Sequence, residues 1–174
     1  GLIVVHLTGL PCDLNKIKSI IKNKKISIIE DCAHSLGTKY RSRHVGNLGL
    51  SGCFSFYPTK QITTGEGGAV VTNSKSFYKK IKKLKAFGID KEISERKKQG
   101  EYDVVDLGFN YRLTDFQALL GYRQLQNYKD EVEENPDVLR PDCCPECKQA
   151  KLWLHGFYNR LIIRKDACLL YTSD

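Results

Sequence analysis

Apolar and polar positions follow two rhythms along this chain, and the rhythms take turns. Residues 2–7, LIVVHL, form a short apolar run of strand length. Residues 13–23, DLNKIKSIIKN, put Leu14, Ile17, Ile20 and Ile21 on one helical face, with Asp13 placed as N-cap. Residues 26–31, ISIIED, read as a buried strand that ends in two acids. Residues 51–57 and 69–73 read as two further short strands flanking a loop. Within the lysine-rich stretch 75–98, Phe77, Ile81, Leu84 and Lys85 fall at helical spacing. A last helix is predicted over 114–128, TDFQALLGYRQLQNY, capped by Thr114. Strands and helices in this order predict an α/β domain with a largely parallel sheet. Such sheets bind ligands beyond the carboxyl ends of their strands. Asp31 ends one apolar strand and Lys60 follows another, so both point to such a crevice.

Composition narrows the class. The 174 residues suffice for one domain with a real core, and 41% hydrophobic with 28% charged residues is the balance of a globular chain. No apolar run is long enough to span a membrane, and no basic region or cleavage site frames residues 2–5 as a signal peptide. The chain has no Met, and its first residues read as the middle of a strand, so it is expected to start inside a domain. Much of the net charge of +8 sits in residues 75–98. A solvated basic helix face accounts for it, and nucleic-acid binding is the weaker alternative. Seven cysteines, an odd number, with no secretory signal imply reduced thiols and a cytoplasmic setting. Cys12, Cys32 and Cys53 are expected to be small buried hydrophobes.

The chemistry gathers in residues 53–73, CFSFYPTKQITTGEGGAVVTN, where one lysine separates an aromatic-rich run from a glycine-rich loop. A lysine after a buried strand can be partly desolvated, which frees its amine for Schiff-base chemistry. A carboxylate at a strand end can keep a pyridine nitrogen protonated, the arrangement that makes pyridoxal phosphate an electron sink. Ser55, Thr63, Thr64 and the turn 65–68, GEGG, offer hydroxyls and N–H groups for a phosphate. A lysine beside a glycine-rich loop is also compatible with an ordinary surface turn.

Residues 30–73, EDCAHSLGTKYRSRHVGNLGLSGCFSFYPTKQITTGEGGAVVTN, and 102–125, YDVVDLGFNYRLTDFQALLGYRQL, resemble the DegT/DnrJ/EryC1/StrS sugar aminotransferases, of the fold-type I, pyridoxal-phosphate-dependent class. The resemblance runs from about residue 1 to about 128. It implies part of the large domain of that fold, with pyridoxal 5'-phosphate as cofactor. It implies that Lys60 binds the cofactor covalently and moves the proton of the reaction, and that Asp31 pairs with the pyridine nitrogen. His34 takes a place near the ring and its 3-hydroxyl, Ser55 a place at the phosphate. Asn110, with Arg112 able to share the role, takes a place that reaches a neighbouring subunit's phosphate site. The family's usual donor is glutamate, its usual acceptor a nucleotide-linked keto sugar, and its usual assembly a homodimer. Members that lack the lysine act as dehydratases, so Lys60 favours amination. Plainer readings stay open: an N-cap for Asp31, a partly buried histidine for His34, strand alternation for Ser55, a turn for Asn110. Glu66 is read as part of the loop's hydrogen bonding, and His6 and His44 receive no role. The phosphate-binding helix and ring-stacking residue that precede this segment in the family are not matched here, so an inactive fragment is expected.

The remainder reads differently. Residues 129–139 form a junction. Residues 140–167 resemble the start of a transposase-type zinc ribbon, in which Cys144 and Cys147 are weak metal candidates and His155 and Cys168 the further ligands available. C-x-x-C is half a tetrahedral site, so the alternative function is a zinc-ribbon nucleic-acid module, and a truncated motif with free thiols is the plainer reading. Residues 168–174, CLLYTSD, read as translated adapter sequence.

Overall fold

The computed structural model describes residues 1–91 and 95–134. The proposed zinc-ribbon segment, the terminal stretch and residues 135–139 of the junction, with Cys144, Cys147, His155 and Cys168, lie outside the described residues.

Parallel pairing organises the molecule. Strand β1 (Leu2–Val5) is followed by helix α1 (Leu14–Ile21) and strand β2 (Ile28–Asp31). A small hairpin, β3 (Lys39–Tyr40) and β4 (Arg43–His44), leads to β5 (Ser51–Ser55) and β6 (Gly68–Val71). Helices α2 (Lys75–Leu84) and α3 (Asp115–Glu134) follow. The main sheet has the order β1-β2-β5-β6. β1 with β2 and β2 with β5 are parallel, and β5 with β6 is antiparallel. This is the mostly parallel α/β sheet expected, with one antiparallel edge.

Local chemistry sets the ends of these elements. The Asp13 carboxylate accepts from the Lys16 N–H at 3.0 Å and so caps α1. Thr114 and Gln117 form a capping box at the start of α3. The Thr114 hydroxyl accepts from the Gln117 N–H at 3.3 Å, and the Gln117 side chain accepts from the Thr114 N–H at 3.1 Å. Ser74 caps α2 by accepting from the Phe77 N–H. The chain leaves that helix through Phe87 and Gly88, both at positive φ. The apolar run at residues 2–7 pairs as a strand only to Val5, beyond which the chain tightens into a 3₁₀ turn at Leu7–Gly9.

Register assigns the side chains to faces, since paired residues point the same way and neighbours alternate. Leu2, Val4, Ile28, Glu30, Gly52 and Phe54 share one face. Leu14, Ile17 and Ile21 of α1 pack there with Val45 and Leu48. Val4, Leu14, Ile28, Cys32, Val45 and Leu48 are the buried core, and burying one such aliphatic side chain contributes about 2 kcal/mol. Ile3, Val5, Asp31, Cys53, Ser55 and Val70 share the opposite face, where Ile3, Val5 and Val70 are exposed.

Candidate functional site

The two acids that end β2 part company because strands alternate. Glu30 turns into the core and is fully buried. Its Oε1 accepts from the Leu48 and Gly49 N–H groups at 2.7 and 2.6 Å. Its Oε2 accepts from the Gly46 N–H at 2.8 Å and meets His6 Nε2 at 3.0 Å. His6 Nδ1 accepts from the Cys12 N–H at 3.1 Å, so its Nε2 carries the proton donated to Glu30. Burial pushes the Glu30 carboxyl up, but His6 and the three N–H groups outweigh it and hold the group at about 2.

Asp31 points the other way, at the carboxyl end of its strand. Its Oδ1 accepts from the Ala33 N–H at 3.0 Å, which fixes the side chain, and no hydrogen bond among the described residues reaches its other oxygen. Three residues on, the His34 ring accepts from the Thr8 N–H at Nδ1, at 3.4 Å. The proton of the neutral ring therefore sits on Nε2. Burial, then the charge of Lys60, lower the His34 pKa from the ordinary 6.5, while Asp31 pulls it up. One imidazole thus feels both the carboxylate and the lysine, and the three residues form a cluster. Lys60 is half-buried and has no ion-pair partner among the described residues.

Ser55 lies on the Asp31 face, two residues beyond Cys53, which pairs directly with Asp31. Its hydroxyl oxygen accepts from the Tyr57 N–H at 3.3 Å, so its O–H is left to donate. The loop between β5 and β6 is held by glutamines. Gln61 donates from Nε2 to the His34 carbonyl at 2.9 Å. Gln124 of α3 accepts from the Thr63 N–H at 3.0 Å and donates to the Thr63 carbonyl at 2.6 Å. Gln117 donates to the Glu66 carbonyl at 3.0 Å. Thr63 and Thr64 are buried and bond to the loop's own carbonyls, at Phe56 and Glu66. Glu66 thus takes part through its backbone, as its place in the sequence implied.

Asn110 is not brought to this cluster within the chain. It is exposed, bridges to Ala86, and accepts from Arg112 Nε at 3.1 Å. A groove of about 940 Å³ lies between β6, α2 and residues 109–113, and Asp31, His34 and Lys60 do not line it.

Sequence reasoning passed over His6 and the inward role of Glu30. The two are 24 residues apart and meet because β1 and β2 pair in parallel. The signal was the glycine spacing of residues 46–52, GNLGLSG, since close backbone approach is a reason for glycine. A Cβ on Gly52 would stand 2.2 Å from the Gly46 Cα, and one on Gly49 would stand 2.5 Å from the Ile28 carbonyl oxygen. His6, Glu30 and Cys32 also have side-chain ligand atoms within 4.8 Å of one another. Both imidazole nitrogens and both carboxylate oxygens are already engaged in hydrogen bonds, so the group is a structural clamp. Cys32 is buried as expected and Cys12 and Cys53 are half-buried, all three as free thiols. Burial pushes the Cys32 thiol up to about 12. No helix among the described residues is long and apolar enough to cross a membrane.

Comparison with known proteins places this geometry. The DegT/DnrJ/EryC1/StrS aminotransferase family model matches residues 1–140, past Tyr128 where the resemblance in the sequence was seen to end. GDP-perosamine synthase of Escherichia coli O157:H7 is 38% identical over 138 residues, which are 79% of this chain and 36% of the relative. PseC of Helicobacter pylori, an aminotransferase involved in the biosynthesis of pseudoaminic acid, superimposes with a TM-score of 0.67 at 32% identity. That match covers 78% of this chain and 36% of PseC. Spr1654 of Streptococcus pneumoniae, solved in a PLP-form, superimposes with a TM-score of 0.67 at 26% identity, covering 79% of this chain and 38% of that one. The chain therefore spans well under half the length of these relatives and covers only part of their fold. With the family model matching most of its length, this chain belongs to the DegT/DnrJ/EryC1/StrS aminotransferase family.

Proposed function

We propose that this chain carries the lysine-bearing part of a pyridoxal-phosphate-dependent aminotransferase, which moves an amino group from an amino acid, glutamate by preference, to a nucleotide-linked keto sugar. The observation that carries the proposal is that the loop of Lys60 is bonded to His34, through Gln61 at 2.9 Å, just beyond Asp31, and that the His34 ring feels the charges of both Lys60 and Asp31. The names of the relatives support the substrate class, since one is the synthase of a GDP-linked sugar and another an aminotransferase of sugar biosynthesis.

The residues present fit pyridoxal phosphate. When bound, the cofactor supplies the electron sink that stabilises negative charge on the substrate α-carbon. Asp31 is oriented by the Ala33 N–H and keeps one oxygen to accept from a ring N–H. His34, with its proton on Nε2, is a neutral donor beside that carboxylate. Ser55 has its O–H to give to a phosphate oxygen. Lys60 Nζ is the attachment point and the group that takes up and returns the proton. Asn110, which among the described residues bridges to Ala86 and accepts from Arg112, is assigned to the phosphate site of a second copy, in a homodimer working in the cytoplasm.

Reductive trapping tests this reading. The chain is incubated with pyridoxal phosphate, treated with borohydride and mapped by peptide mass spectrometry. The pyridoxyl group should concentrate on Lys60 and vanish from that peptide in Lys60→Ala. Label spread evenly over the lysines of α2 would overturn the assignment. Once the rest of the fold is restored around these residues, Asp31→Asn should retain cofactor yet lose most transamination, because an amide cannot hold the ring nitrogen protonated.

A further inference from the structure

The lysine loop and the carboxylate loop are separate segments, and the relative position of Lys60 and Asp31 depends on what joins them. Lys60 is tied within its own loop by a backbone bond from its N–H to the Tyr57 carbonyl at 3.0 Å. Gln124 and Gln117 tie that loop to α3, at Thr63 and Glu66. The Gln61 side chain alone of these glutamines bonds to the segment that follows Asp31. It is half-buried, and its amide donates to the main-chain carbonyl of His34 at 2.9 Å. His34 is in turn held from the 3₁₀ turn after β1, through the Thr8 N–H on its ring, and the Thr38 hydroxyl ties to that turn by donating to the Gly9 carbonyl at 3.2 Å. Gln61 is the immediate neighbour of Lys60 in the chain, so this bond acts on the lysine backbone directly.

We infer that Gln61 is a positioning residue, whose side-chain amide clips the lysine loop to His34 and so sets Lys60 within reach of the cofactor that Asp31 holds. It touches no reacting atom. The inference rests on the cofactor reading above and adds to it a residue whose effect is confined to Lys60. A neutral hydrogen bond of this kind is worth about a five-fold change in an equilibrium. That change should appear in covalent attachment and be absent from the non-covalent contacts of the cofactor.

The test is a double-mutant cycle in the full chain with Gln61→Met, which keeps the length of the side chain and removes its amide. In the Lys60 background, Gln61→Met should lower the equilibrium yield of borohydride-trapped pyridoxyl-Lys60 by about five-fold at subsaturating pyridoxal phosphate. In the Lys60→Ala background, it should leave the affinity for pyridoxal phosphate, read by fluorescence quenching, unchanged. Unfolding temperatures of all four chains verify that the fold is kept. Equal trapping with and without Gln61→Met overturns the role of Gln61 alone. An equal loss in both backgrounds also overturns it, because it marks a general structural effect. Absence of label on Lys60 in the parent chain overturns the cofactor reading and the role of Gln61 with it.

Discussion

At the scale of single residues, His34 reports on its neighbours. Burial and the Lys60 ammonium disfavour its protonated form, and the Asp31 carboxylate favours it. The signs of two substitutions follow. Lys60→Ala removes a repelling cation, so the His34 titration should move up toward the ordinary 6.5. Asp31→Asn removes an attracting anion, so it should move down. Ring-proton chemical shifts followed against pH read both, and a His34 titration indifferent to either change would show that the three groups do not share a site. Cys32 is a second reporter. Its thiol, buried and pushed up to about 12, should resist alkylation in the folded chain at neutral pH and react once the chain is unfolded.

At the scale of elements, the end of β2 shows what a sequence can and cannot carry. Helix starts were legible because a cap is a local event. Asp13 bonds three residues ahead and Thr114 three residues ahead, and both were visible as side chains of the right type before an apolar face. Lys60, Asp31, His34 and Ser55 could be picked out as a linear motif, but that Ser55 shares the sheet face of Asp31, and that His34 feels both Asp31 and Lys60, required the fold. The Glu30 clamp was hidden because it depends on register. Its partners come from residues 46–49 and from an imidazole 24 positions away, just past the end of β1. Strand lengths were overestimated for a related reason: Ile26 ahead of β2, and Phe56 and Tyr57 after β5, are apolar but lie outside the paired strands. The clamp has a sharp steric condition. Gly52→Ala would drive a methyl group into the Gly46 backbone and push the 46–49 segment off Glu30. A loss of about 3 kcal/mol is expected, the scale at which a buried carboxylate loses its donors, and denaturant titration would measure it. Gly65→Ala is the contrasting variant, since no atom lies within 4 Å of the added carbon there and only its positive φ opposes the change.

At the scale of the whole molecule, the same clamp governs the response to acid. Glu30 holds its proton at about 2 in the fold and at 4.5 as a free carboxyl, so between those values the unfolded chain binds more protons. Its contribution to stability is complete above about 4.5 and drains away as pH falls toward 2. His34 adds to the same trend at higher pH, because its neutral form is favoured in the fold and protonation below its ordinary 6.5 opposes folding. Unfolding temperature should therefore fall from neutral pH downward, with the steepest loss below 4.5, and Glu30→Gln should flatten that lower limb while lowering stability at neutral pH. A lower limb identical in the two chains would show that another carboxylate controls the transition.

The choice of glutamine at 61, 117 and 124 separates the frame of the site from its electrical setting. Each of these side chains holds the lysine loop through a neutral amide. Dissolved ions screen charges and act far less on neutral dipoles, and at 0.1 M salt the screening length is about 10 Å. Raising the ionic strength should therefore leave the loop where it is while weakening the pull of Asp31 and the push of Lys60 on His34. The cluster can be retuned by its surroundings without being taken apart, on a scaffold that does not shift as the salt content changes.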